Sequence, residues 1–150
     1  MREFHGIEDL RSAKGEQLGV SGWYTISQEQ IDRFADATGD HQWIHVDQAR
    51  AKAGPFGTTI AHGFLTLSLV PELAGEVYRV THLGMVLNYG LNKVRFTAPV
   101  PVGSRIRGAV ELTDVRDVDG GVQLVSTTTV ELEGAAKPVL VAEWITRLLI

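Results

Sequence analysis

The spacing of apolar residues changes once along this chain, near residue 84, and the change narrows the folds open to it. Before it, Phe64, Leu65, Leu67, Leu69, Val70 and Leu73 occupy nearly every side of a helix running from Gly63 to about Ala74. A helix apolar all round must be buried. Its eleven or so residues span roughly 16 Å. Pro71 interrupts it: proline has no N–H and its ring crowds the carbonyl of Leu67, so a kink or an early end is expected there. After residue 84 the period is two, and Met85 to Asn88, Leu91 to Phe96, Ser104 to Val115, Val122 to Glu133 and Val139 to Leu149 read as strands. Ile106, Gly108, Val110 and Leu112 alternate with Arg105, Arg107, Ala109 and Glu111, while Asp117 to Gly121 and Gly134 to Pro138 read as turns. One apolar helix followed by antiparallel strands predicts an α+β domain whose sheet wraps around the helix.

Upstream, Ile7 to Ala13 reads as a short helix ending before Gly15, and Val20 to Ile26 as a strand favoured by Trp23 and Tyr24. Ser27-Gln28-Glu29-Gln30 forms a capping box, flanked by Ile26 and Ile31 at the staple positions. The helix that follows runs from Gln28 to about Thr38, with Ile31, Phe34 and Ala35 on one face, until Gly39 stops it. Asp47 is the expected N-cap of a second short helix, Gln48 to Ala53, which Gly54 and Pro55 terminate. Gly54 to Gly57, with Phe56 in it, forms a partly apolar loop.

Composition excludes several functions. A chain of 150 residues suits one domain, 1–150, and its 44% hydrophobic and 21% charged residues exclude disorder. A net charge of -4 argues against nucleic acid as partner, though a local basic patch still permits an anionic ligand. With no cysteine, the chain has no disulfide, no thiolate zinc site and no cysteine nucleophile. The first residues are polar, and no run approaches the roughly 18 apolar residues of a membrane span. The expected setting is the cytoplasm, with no membrane partner.

Chemistry concentrates between Ala35 and Ser68. Asp40 and His45 stand five apart just after the Gly39 helix stop, on a loop that leaves both free to share one small polar object such as a water. The amide near Gly63, where the apolar helix begins, is placed to hold an oxygen that becomes negative. The alternative is structural: Gly39-Asp40 as a helix cap and Asx turn, and His45 as a satisfied loop histidine. His41 and His45 have the spacing of two metal ligands on one helical turn, but the Gly-Asp break and the lack of an evident third ligand lead us to expect no metal.

The string Thr38-Gly39-Asp40-His41-Gln42-Trp43-Ile44-His45, followed by Ala61-His62-Gly63-Phe64, resembles the signature of the MaoC-like, (R)-specific enoyl-CoA hydratases, G-D-x-N-P-[hydrophobic]-H and then H-G. Gln42 stands where asparagine is usual and Trp43 where proline is usual, changes tolerated in the family's nodulation-protein-N-like branch. They alter the loop's shape, and a bulky indole in the loop is an expected block to the cleft, the ground for the non-catalytic alternative. The resemblance implies a single hot-dog domain and a homodimer in which two sheets join and the acyl chain enters at the boundary. It implies hydration of trans-2-enoyl-CoA to (R)-3-hydroxyacyl-CoA, and the reverse dehydration, without a cofactor, since coenzyme A is part of the substrate. Asp40 and His45 become the catalytic pair. Gly63, His62, Ser68, Phe56 and Asn88 become candidates for oxyanion and substrate binding. Acyl-CoA thioesterase activity and non-catalytic acyl-CoA binding are the alternatives on the same fold.

For several of these residues a bland role competes. His62 either acts chemically or glues the loop to the helix, and Ser68 either faces the site or bonds back to a helical carbonyl. Pro71 stands about where some relatives carry a polar helix residue. Asn88, Tyr89, Gly90 and Asn92 either line the cleft or form a strand bulge. Lys93, Arg95, Arg105 and Arg107 either meet coenzyme A phosphates or form the solvated face of two strands.

Overall fold

A computed structural model describes residues 1–150. In chain order it holds β1 (Arg2–Phe4), α1 (Ile7–Ser12), β2 (Gln17–Val20), β3 (Tyr24–Thr25), α2 (Gln28–Thr38), α3 (Trp43–Val46), α4 (Gln48–Lys52), α5 (Gly63–Ser68), α6 (Val70–Val77), β4 (Tyr78–Val80), β5 (Met85–Phe96), β6 (Arg105–Val118), β7 (Gly121–Leu132) and β8 (Leu140–Leu149). The main sheet runs β2-β6-β7-β8-β5, with β3 also on β6, and all its pairings are antiparallel. β1 and β4 form a separate parallel pair that the apolar pattern did not announce. Three residues are too few to show a period.

The alternation in β6 faces Ile106, Val110 and Leu112 inward, fully buried. Gly108 shares that face, and a Cβ there would meet the Leu73 Cβ at 3.0 Å. The missing side chain is therefore what lets α6 lie close on the sheet. Leu65, Leu69, Val70 and Leu73 pack with Ile106, Val130, Leu140 and Ala142 in one cluster. A second cluster, around Phe4, Leu10, Val77, Val110 and Leu124, closes the far end under α1.

Three expectations are corrected. The apolar helix is two helices that part at Leu69, whose N–H is shared between the Leu65 and Thr66 carbonyls at 3.1 and 3.2 Å. The break precedes Pro71, which then sits in the first turn of α6, where a missing N–H costs no bond, and α6 continues to Val77. The strand foreseen over Val20 to Ile26 is interrupted between β2 and β3, where the Ser21 hydroxyl, not a ladder carbonyl, accepts the Gly108 N–H at 2.9 Å. Finally, the two stretches over residues 85 to 96 are one strand with register shifts at Asn88/Gly90 and Leu91/Val94, so the strand-bulge reading of that patch holds.

The capping box is half realised. Ser27 Oγ accepts the Gln30 N–H at 3.2 Å, but the Gln30 amide donates to the Tyr24 hydroxyl at 2.7 Å instead of returning to the cap. Ile26 and Ile31 are both fully buried, as the staple requires.

Candidate active site

α2 ends on Gly39 in the left-handed region, φ 81°, with its N–H on the Ala35 carbonyl. The chain then turns through Asp40, whose Oδ1 accepts the Gln42 N–H at 3.3 Å, and enters α3. His45 therefore stands on a one-turn helix and not on a free loop, a correction to the expectation. Asp47 caps α4 through the Arg50 N–H, as expected.

His45 is buried, at 6% exposure, and its Nδ1–H donates to the Ile60 carbonyl at 2.7 Å. That bond assigns the tautomer and leaves Nε2 with its lone pair. Burial pulls the imidazole pKa below its ordinary 6.5, and the neighbouring His62 adds to the shift; the Ile60 carbonyl and Asp40 oppose it. The ring is accordingly neutral at pH 7, the state a base requires.

His62, at the start of α5, holds both partners. Its Nε2 lies 2.9 Å from the Asp40 carbonyl, and its ring stacks on His45 at 3.9 Å and 24°. The gluing role is the one the geometry fits. One ring nitrogen or carboxylate oxygen from each of Asp40, His45 and His62 lies within 4.8 Å of the others. A water donating or accepting two bonds of about 2.8 Å at a tetrahedral angle separates its partners by about 4.5 Å. The 4.8 Å limit leaves room for one water between Asp40 and His45.

His62, a candidate already in the sequence, thus joins Asp40 and His45 as a third group, whereas His41 leaves for Asp36 at 2.9 Å. Chelation suits the trio poorly. Stacked rings keep their nitrogen lone pairs in parallel planes, while a tetrahedral ion about 2.1 Å from each nitrogen needs those lone pairs to converge.

A cleft of about 330 Å³ opens at His45, lined also by Gly63, Thr66 and the segment from Phe96 to Val100. The Gly63 N–H donates to no backbone carbonyl, and Gly63 lines this cleft. A Cβ at Gly63 would lie 3.0 Å from the Phe96 ring, so the ring's approach to the cleft mouth depends on the glycine. Thr66, which the sequence reading passed over, is 2% exposed and its hydroxyl has no partner. On a helix such a hydroxyl ordinarily bonds back to a carbonyl one turn before it; this one does not.

Other candidates fall elsewhere. Ser68 and Asn88 line a different cavity of about 370 Å³, beside Pro71, Tyr89 and Trp144, and the Ser68 hydroxyl donates to the Phe64 carbonyl at 2.7 Å. Phe56 is exposed on its loop and lines neither cavity. Phe64, foreseen on a buried helix, is 67% exposed. Trp43 does not enter the cleft: the Arg50 guanidinium lies 4.3 Å from the centre of its ring, which also packs on Gly54, where a Cβ would meet it at 3.0 Å. Its backbone is at the first helical position of α3, which a proline also fits, because no carbonyl waits for its N–H. Arg105 and Arg107 pair with Glu133 and Glu131, in keeping with a solvated face; Lys93 and Arg95 make no such pair.

An antiparallel sheet around a central helical segment, with an acid and an imidazole held beside its start by His62, defines a hot-dog domain. The chain belongs to the MaoC-like dehydratase family: the family's MaoC like domain matches residues 9–135. It is similar to 3-hydroxyacyl-thioester dehydratase Z of Mycobacterium tuberculosis, 60% identical over 148 residues covering 98% of both chains. It also resembles nodulation protein N of Rhizobium leguminosarum bv. viciae, 48% identical over 93% of this chain and 89% of that one. Among solved structures, a monoamine oxidase regulatory protein from Archaeoglobus superposes with TM-score 0.78 at 26% identity, over 99% of this chain and 95% of that one. The (R)-hydratase from A. caviae involved in PHA biosynthesis gives 0.71 at 25% identity, over 89% and 96%. The chain is a hydratase/dehydratase of this family, and none of its helices is long and apolar enough to cross a membrane.

Proposed function

We propose that this protein is a lyase that adds water to trans-2-enoyl-CoA, giving (R)-3-hydroxyacyl-CoA, and runs the reaction back as a dehydratase. The observation that carries the reading is a neutral, buried His45 that has a ring nitrogen within 4.8 Å of an Asp40 carboxylate oxygen and that lines one cleft with Gly63. The dehydratase named among the relatives supports it.

Asp40 and His45 hold a water between them. As its oxygen bonds to the β-carbon, the water gives a proton to the pair. The C=C electrons move to the α-carbon and, by conjugation, to the thioester oxygen, where the Gly63 N–H receives the charge. The pair then returns a proton to the α-carbon on the same face. Water is added across the double bond, the pair ends as it began, and no redox cofactor enters.

With crotonyl-CoA, the ultraviolet absorbance of the enoyl thioester should fall as (R)-3-hydroxybutyryl-CoA appears. The acid limb of kcat/KM should lie below pH 6.5, because protonation removes the lone pair of a His45 whose pKa burial has lowered. Release of free thiol instead marks a thioesterase, and binding without absorbance loss marks a non-catalytic protein; either result ends the proposal.

The working unit proposed is a homodimer joined along β5. This twelve-residue strand is the sheet's edge, and it exposes Met85, Val86, Leu87, Tyr89, Leu91 and Phe96. An edge so apolar is a template for a second strand. Sedimentation equilibrium should give twice the chain's 16.4 kDa, and a monomer at micromolar concentration would overturn the arrangement.

A further inference from the structure

α3, which carries His45, has only four residues and no side-chain cap at its start. A helix of one turn does not hold itself, so the aim of His45 depends on tethers from outside. Gln28, the half-buried first residue of α2, supplies one. Its Nε2 donates to the His45 carbonyl at 2.8 Å and to Asp32 Oδ1 at 2.9 Å, and its Oε1 accepts the hydroxyl of Thr59. The amide has only one workable orientation, since the carbonyl and the carboxylate can only accept.

Thr59 is 1% exposed and immediately precedes Ile60. Ile60 is the residue whose carbonyl takes the His45 Nδ1–H, and its own N–H donates to the Ile44 carbonyl at 3.0 Å. One Gln28 side chain therefore spans the two segments whose separation sets the Nδ1–carbonyl distance.

We infer that Gln28 and Thr59 form a positioning clamp that presents His45 as the Nδ1–H tautomer with Nε2 aimed into the cleft. Neither residue lines the cleft, so both act through His45. The inference rests on the proposed hydratase reading for its kinetic consequence and stands apart from it for its structural one.

In Gln28→Ala, kcat for crotonyl-CoA should fall by about 10-fold or more with KM within about twofold, because a base displaced by a fraction of an ångström loses rate before it loses binding. Nitrogen-15 NMR of the imidazole, which needs no substrate, should show the Nδ1–H form of His45 in the wild type and a shift toward the Nε2–H form in the variant. Thr59→Val should reproduce both effects and Thr59→Ser should restore both. The double variant Gln28→Ala/Thr59→Val should cost about what either single change costs, since both open one clamp. Wild-type kcat and an unchanged tautomer in Gln28→Ala would overturn the clamp, as would additive losses in the double variant. A tautomer shift in a protein that hydrates no enoyl-CoA would sustain the clamp and sink the proposed reaction instead.

Discussion

Asp40→Asn should lower kcat for enoyl-CoA hydration by about 10² to 10⁴, the weight of a positioned acid or base, with the fold intact. The side chain is exposed and the asparagine has the same shape. Its amide oxygen still accepts the Gln42 N–H, and the contact from His62 goes to the backbone carbonyl of residue 40, which the substitution leaves in place. What changes is the charge facing His45. A carboxylate accepts from the bridging water and favours its loss of a proton, whereas an amide offers N–H groups and no charge. KM should move little, and the melting temperature should stay within a few degrees by the ordinary cost of a surface substitution. Steady-state kinetics on crotonyl-CoA with a melting curve on the same preparation decide it. A variant that turns over at the wild-type rate removes Asp40 from the mechanism.

Gly121→Ala should be the most damaging small substitution for stability. A Cβ at this first residue of β7 would lie 1.9 Å from the Leu148 carbonyl oxygen and 2.9 Å from its carbon, both backbone atoms. No rotamer relieves that contact. β7 or β8 must move, at the end where Gly121 pairs with both Val118 and Leu149. A cost of about 3 kcal/mol is in the range of forced backbone strain, and in a domain of this size it lowers the melting temperature by about 6 to 12 °C. Gly121 does not line the His45 cleft, so kcat at a temperature where the variant is folded should be unchanged. An alanine variant melting within a degree of the wild type would show that the strands yield there freely.

The groups at the site were legible because their signals are local. Gly39 as a helix stop, Asp40 and His45 after it, and His62-Gly63 at a helix start are read from neighbours in the chain. Ser68 takes the commoner of its two roles, the bond back to the Phe64 carbonyl, and helix geometry says why it leaves the His45 cleft. At 100° per residue it lies about 140° around α5 from Gly63, whereas Thr66, three residues on, lies about 60° away and so shares the cleft side. Asn88 and Phe56 had no such rule to place them, because their positions depend on where β5 and the Gly54–Gly57 loop settle.

By itself, then, the sequence determined the period-two strands, the capped α2, the apolar helix that they enclose and which residue types stand at its start. These are consequences of side-chain spacing and local hydrogen bonding. Only the tertiary structure decided that His45 is a neutral Nδ1–H tautomer, that His62 stacks on it and grips the Asp40 backbone, and that Trp43 turns away onto Arg50. The first two join residues 15 to 22 apart in the chain, and no local periodicity encodes them. They exist because burying the apolar helix draws the 59–63 segment against the α2–α3 turn, and a buried imidazole must then find its hydrogen bonds among whatever backbone the packing has brought within reach.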